Sequence, residues 1–203
     1  MKLSKLLSLY KPSVSGALHA FSKLDLIRAV YLIRIKLRVS RKEISSILEI
    51  GEGSTRTLLD SLRAANTVRV SLFGCELSKS GLREVDEIFD SFEPVGHLPS
   101  SSLTFDKQSY CIIARRATGR IASGVVQRDA ALLAGALGAT VLIYKNGCFN
   151  FPQADKGTCI DDSLIVALRA RNDFNEGDAI ILSFAEGVRE RERGAWAAIT
   201  TLE

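Results

Sequence analysis

The densest chemistry in the chain lies in GEGSTRTLLDSL, residues 51–62. Read as a helix with Ser54 at its N-cap, it puts Thr55, Leu58, Leu59 and Leu62 on one face, at i, i+3, i+4 and i+7. Arg56, Thr57, Asp60 and Arg63 take the opposite face. A guanidinium held there can grip guanine O6 and N7 together, while the hydroxyls of Ser54 and Thr57 can bond phosphate or base edges. A helix N-terminus adds free backbone N–H groups and the positive end of its dipole. Arg56 is the candidate base reader on this pattern. Its plainer alternative is a solvated surface charge. Asp60 shares the face and would repel phosphate, which confines a recognition edge to about two turns.

The flanking elements must hold that edge. LDLIRAVYLIRIKL, residues 24–37, predicts a helix with Leu26, Ile27, Val30, Leu32, Ile33 and Leu37 inward and Arg28, Arg34 and Lys36 outside the stripe. In VSRKEISSILEI, Ser40 predicts an N-cap and Glu43 completes a capping box, with Ile44, Ile47 and Leu48 inward. Arg41 and Lys42 then stand where they can pin a DNA backbone. IGEG, residues 50–53, predicts a tight corner with Gly51 or Gly53 at positive φ. VRVSLFGCELS alternates as a two-stranded hairpin, and Arg69 and Lys79 flank it as phosphate contacts. SKSGLREVDEIFDSF adds a helix with Leu82, Val85, Ile88, Phe89 and Phe92 as its stripe. Helix, helix, turn, helix, hairpin, helix is the winged helix-turn-helix order, and the partner it predicts is double-stranded DNA.

Charge points the same way. Residues 1–92 hold fifteen Lys and Arg against ten Asp and Glu, and residues 93–203 hold twelve against thirteen. The positive field is concentrated in the first half, as a polyanion partner would require. At 203 residues, 46% hydrophobic and 25% charged, the chain is long and apolar enough for one large or two small folded domains. Cys75, Cys111, Cys148 and Cys159 include no CxxC pair, and His19 and His97 are the two histidines, so zinc spacing is absent. Cys75 and Cys111 sit in apolar runs as small buried hydrophobes, and a reduced cytosolic setting is the simplest expectation. MKLSKLLSLYKPS has no signal-type apolar core, and no run approaches the ~20 apolar residues of a membrane span. A cytoplasmic protein with no membrane partner is expected.

EPVGHLPSSSLT, residues 93–104, has the prolines, glycine and serines of a linker. It divides the chain into a DNA-binding domain, 1–92, and a second domain, 105–203. In the second domain, strand 109–117, helix 119–137, two strands over 139–151 around a type I′ Asn146-Gly147 turn, helix 161–171, strand 178–185 and a closing helix over 189–203 are predicted. The fold class is α+β, a winged helix-turn-helix followed by an α/β sandwich in β-α-β-β-α-β-α order. That order suggests a ferredoxin-like sheet. Arg115, Arg116 and Arg120 bracket a strand-to-helix turn where an anionic effector could bind, and Gln127, Arg128 and Asp129 interrupt a small-apolar helix. The plainer readings are a solvated strand end and an ion pair fixing the helix on its sheet.

SRKEISSILEIGEGSTRTLLDSL with LFGCELSKSG resembles the winged helix of archaeal transcription regulators. GVVQRDAALLAGALGATVLIYKNGCFNFP is similar to the domain of unknown function that follows it in one such archaeal family. The resemblance implies a DNA-binding regulator with a sensing or assembly domain and carries over no catalytic residues. A homodimer is expected, matching two half-sites. Two alternatives stand beside this. One is a winged helix used for protein contacts. The other is a nucleotide- or metabolite-processing enzyme with an appended winged helix, a layout that archaeal riboflavin kinases also show. Asp155, Asp161 and Asp162 could hold Mg²⁺, although an acidic helix cap explains the last two, and Glu186-Gly187 follows a strand where α/β sites often sit. No P-loop or Ser/His/Asp set supports catalysis, so no catalytic residue, metal or cofactor is assigned.

Overall fold

A computed structural model describes residues 2–11, 21–154 and 159–203. His19 and Asp155 lie outside the described residues. The chain forms two compact units, Met1–Ile88 and Phe89–Glu203.

The first unit opens with a short helix α1, Leu3–Leu7, and continues with α2, Lys23–Lys36, α3, Arg41–Leu48, and α4, Glu52–Ala64. Strands β1, Val68–Ser71, and β2, Gly74–Leu77, pair as an antiparallel hairpin, and α5, Lys79–Ser91, follows. Val39 makes an isolated antiparallel bridge to Cys75, tying the chain before α3 to the hairpin. Ile27, Val30, Ile33, Ile44, Leu48, Leu58, Leu59 and Leu62 are buried together with Val68, Cys75 and Val85. This is the winged helix-turn-helix arrangement.

Several side chains depart from their expected places. Leu37 is exposed because it ends α2 at φ 63°, which turns it out of the stripe. Ile47 and Leu82 also stay exposed at the margins of their helices. Arg28 is buried. Its Nη1 donates to Asp25 Oδ1 at 2.8 Å and to the Leu48 carbonyl at 3.2 Å, tying α2 to the last turn of α3. Asp25 also accepts from the Ser22 backbone N–H at 2.8 Å, closing the α2 capping box.

The second unit is a five-stranded antiparallel sheet. Its strands are β3, Phe92–Leu98, β4, Ser109–Ala114, β5, Gly138–Lys145, β6, Cys148–Asn150, and β7, Ala179–Phe184, in spatial order β3-β4-β7-β5-β6. Residues 93–98 are therefore the edge strand and not a linker. Backbone pairing with β4 outweighs their Pro and Gly, and a bulge between Pro94 and Gly96 absorbs the irregularity. The sheet is not ferredoxin-like. In that fold the hairpin partner would lie beside β4, but here the last strand, β7, fills the gap between β4 and β5. One face of the sheet packs α7, Ser163–Arg171, through Leu164, Ile165 and Leu168 against Cys111, Ile113, Leu142, Ile180 and Leu182. The other face carries α6, Val125–Leu133, and α8, Val188–Thr200. Gly194 lets α8 approach closely, for a Cβ there would stand 2.6 Å from Ala136 Cβ.

The expected 119–137 helix is much shorter. Gly124 at φ 79° breaks it, leaving a short 3₁₀ turn at Thr118–Arg120 and then α6. Asn146 and Gly147 both have positive φ, as a type I′ turn requires. Cys148 and Cys159 form a disulfide, which the reduced setting did not foresee. The Ile160 N–H donates to the Phe149 carbonyl, so the two cysteines lie on adjacent extended segments. Cys75 and Cys111 are buried free thiols, and burial pushes both pKa values up.

Removing Arg28 takes away a cation bonded to the buried Asp25 carboxylate. Arg28→Leu is expected to destabilise the chain by about 3–5 kcal/mol, read as a lower urea midpoint in the far-UV signal.

Candidate nucleic-acid interface and effector region

The edge singled out by its chemistry is built on α4. The helix starts one turn earlier than expected. Gly51 is its N-cap in extended conformation, and Ser54 lies inside the first turn. The corner needs no glycine at positive φ, because Glu49 takes the left-handed conformation at the end of α3. Cβ atoms added at Gly51 and Gly53 would meet nothing within 4 Å, so the backbone of the first turn is bare. Thr55, Leu58, Leu59 and Leu62 are buried as the spacing predicts.

Arg56 and Thr57 project from the exposed face, and Ser54 is half-buried. The Thr57 hydroxyl donates to the Gly53 carbonyl at 3.2 Å, which leaves its oxygen able to accept. Asp60 is held by Arg63 at 3.0 Å, so its repulsion of phosphate is partly cancelled. Glu52, which the spacing argument passed over, shares the exposed face at the first helical position. It stabilises the helix dipole and can accept from cytosine N4, but it opposes phosphate.

The cations of this unit fall into two sets. Lys5, Arg28, Arg34, Lys36, Arg38 and Arg63 are ion-paired to Glu84, Asp25, Asp86, Glu43, Glu76 and Asp60. Arg41, Lys42, Arg56, Arg69 and Lys79 are exposed and have no ion pair among the described residues, and the same holds for Lys2, Lys11, Lys23 and Arg83. Ser40 caps α3 by accepting from the Glu43 N–H at 3.1 Å, while the Glu43 carboxylate goes to Lys36 and does not close the capping box. At the tip of the hairpin Leu72 and Phe73 are both exposed, an apolar pair that strand alternation concealed.

Of the arginines at the strand-to-helix turn, Arg115 is engaged within the fold, while Arg116 and Arg120 are exposed. Arg115 donates to Glu93, to Asp178 Oδ2 at 2.8 Å and to the Asp173 carbonyl at 2.8 Å. Burial lowers the Arg115 pKa, and the bonds from Glu93 and Asp178 more than reverse it, so the guanidinium stays charged. Arg116 sits at φ 50° with its backbone N–H on Asp178 Oδ1, and the Arg120 side chain is bound to the Leu202 carbonyl. Asp178 is 1% exposed and also accepts from the Asn175 N–H at 3.0 Å, making it the hub of this corner. Gln127 is buried and donates to Thr201 at 2.7 Å, fixing α6 to the end of α8. Arg128 and Asp129 are exposed and paired to each other.

The other candidates also have structural partners. Asp162 caps α7 by accepting from the Leu164 N–H at 2.8 Å, and it accepts from Ser102 at 2.8 Å. Glu186 bonds Lys107 at 2.5 Å, which holds its carboxyl below the usual range. His97 lies on β3, 3.0 Å from Glu192 and edge-on to Tyr110. A groove of about 560 Å³ runs between the end of β3 and α7, lined by Val95, Leu98, Pro99, Ala167 and Arg171. Its walls are some seventy residues apart in sequence, so no local pattern marks it.

The fold therefore defines a two-unit protein, a winged helix-turn-helix joined to an antiparallel α+β unit. Residues 105–202 match the family model described as a domain of unknown function (DUF4443), and residues 23–83 match that of the PH0730-like, N-terminal domain. The solved structure of the hypothetical protein PH0730 from Pyrococcus horikoshii OT3 is similar at 25% identity and a TM-score of 0.71, covering 90% of this chain and 92% of that one. No curated protein matches the chain. These likenesses fit an archaeal family whose C-terminal domain has no assigned function. No described helix is long and apolar enough to cross a membrane.

Asp178→Ala would remove one partner of Arg115 and the acceptor of the Arg116 and Asn175 N–H groups at a buried corner. A loss of about 3 kcal/mol is expected, seen as a lower thermal and urea midpoint.

Proposed function

We propose that the chain is a cytoplasmic DNA-binding transcription regulator, without catalytic activity, that works as a homodimer. The observation carrying this reading is that Arg41, Lys42, Arg56, Arg69 and Lys79 are exposed on α3, α4 and the hairpin with no ion pair among the described residues, as are Lys2, Lys11, Lys23 and Arg83 elsewhere in the unit. A cation left without a carboxylate suits an external anion, and a phosphate backbone supplies one every few ångströms. Arg56 reads a base in the major groove, and Ser54 and Thr57 bond its surroundings. Arg41 and Lys42 at the start of α3, with Arg69 and Lys79 on the wing, hold the phosphates. In the second unit the groove beside α7, and not the arginine corner, is where an anionic effector has room, with Arg171 at its rim.

The exposed Leu72–Phe73 tip favours one other reading, a winged helix that docks onto a protein. Salt separates the two. Binding to mixed-sequence duplex DNA, followed by fluorescence anisotropy, is expected to weaken steeply as salt rises. Replacing Arg41 and Lys42 by Ala should lower the slope of log K against log salt by about one per lost phosphate contact. Arg56→Ala is expected to cost about 1–3 kcal/mol on a preferred sequence. Binding that ignores both salt and Arg56 would overturn the regulator reading.

A further inference from the structure

We propose that the outer face of α6 is a two-fold docking surface for α6 of a second copy of this chain. The inner face of the helix is accounted for, with Gln127 bonded to Thr201 and Ala131 buried. The outer face is apolar. Val125, Val126, Leu132 and Leu133 are all exposed, Leu133 at 91%, and Leu137 just beyond is exposed too. A soluble surface seldom leaves so many large aliphatic side chains uncovered on one short helix.

The order of residues along the helix selects the occupant. In VVQRDAALL two valines stand at one end, two leucines at the other, and Arg128-Asp129 at the centre. A two-fold axis crossing near Arg128 and Asp129 pairs the helices antiparallel. Val125 and Val126 of each copy then cover Leu132 and Leu133 of the other, and each Arg128 meets the partner's Asp129. The face is complementary to itself, as an isologous interface requires. The charges are also prepared for this. Arg128 uses Nε and Nη2 on Asp129 Oδ1, at 3.0 and 2.9 Å, which leaves Nη1 and Asp129 Oδ2 without a hydrogen bond among the described residues. These two atoms can close a ring of two arginines and two aspartates across the axis. A heterologous protein would have no reason to match this symmetry. The face of one nine-residue helix lies at the small end of specific interfaces, so the dimer is expected to be reversible, with Kd on the order of micromolar.

This surface deepens the regulator reading by naming where its two copies meet, but its test contains no DNA, so the two can fail separately. Sedimentation equilibrium of the full chain from micromolar to near-millimolar concentration should show a monomer–dimer equilibrium. Val126→Glu with Leu133→Glu should raise Kd by more than about tenfold, with an unchanged thermal midpoint because both side chains already face solvent. Arg128→Asp and Asp129→Arg should each weaken the homodimer by placing like charges at the axis. Mixing those two variants should restore dimerisation, because their charges are then opposite across it. A wild-type chain that stays monomeric throughout overturns the proposal. So does a dimer that survives the double glutamate variant, or charge variants that are not rescued by mixing.

Discussion

The first unit depends on one buried charge. Arg28 lies inside a core of leucine and isoleucine, where an unpaired guanidinium would cost several kcal/mol. Its bonds to Asp25 and to the Leu48 carbonyl hold α2 against the end of α3. Glu49 then turns the chain through a left-handed residue, and Gly51 starts α4. The direction in which Arg56 points is fixed by this sequence of constraints, and the leucine face of α4 acts as its anchor. Hydrophobic burial supplies most of the stability, but it is non-directional, whereas the ion pair selects one register.

The second unit uses the same device at Asp178. A nearly inaccessible carboxylate gathers Arg115, the Arg116 N–H and the Asn175 N–H where β4 ends and β7 begins. Those two strands are far apart in sequence and neighbours in the sheet. Their pairing is what places β7 between β4 and β5 and separates this fold from the ferredoxin-like order. On the far edge, the Cys148–Cys159 disulfide joins β6 to the segment that leads into α7.

Both proposed surfaces are made of groups that these internal contacts leave over. Arg56, Arg69 and the cations of α3 form no ion pair among the described residues, and the aliphatic side chains of α6 are exposed. Arg115 looks like an anion ligand by type, yet both of its terminal nitrogens are engaged within the fold.

Local physics was sufficient for whatever depends on neighbours within a few residues. The i, i+3, i+4 spacing of Thr55, Leu58, Leu59 and Leu62, the Ser40 cap, the type I′ turn at Asn146-Gly147 and the Asp162 cap were all legible, because each is settled within one or two turns of chain. Tertiary structure alone decided the rest. Residues 93–98 became a strand because β4 was there to pair with them, and Arg28 went inside because Leu48 was there to accept. β7 took the gap that a local reading would give to β6, and Cys148 found Cys159 across a backbone bond between separate segments. Sequence fixes what each residue can offer. Which groups lie close enough to accept depends on contacts between distant segments, and those contacts leave no periodic trace in the chain.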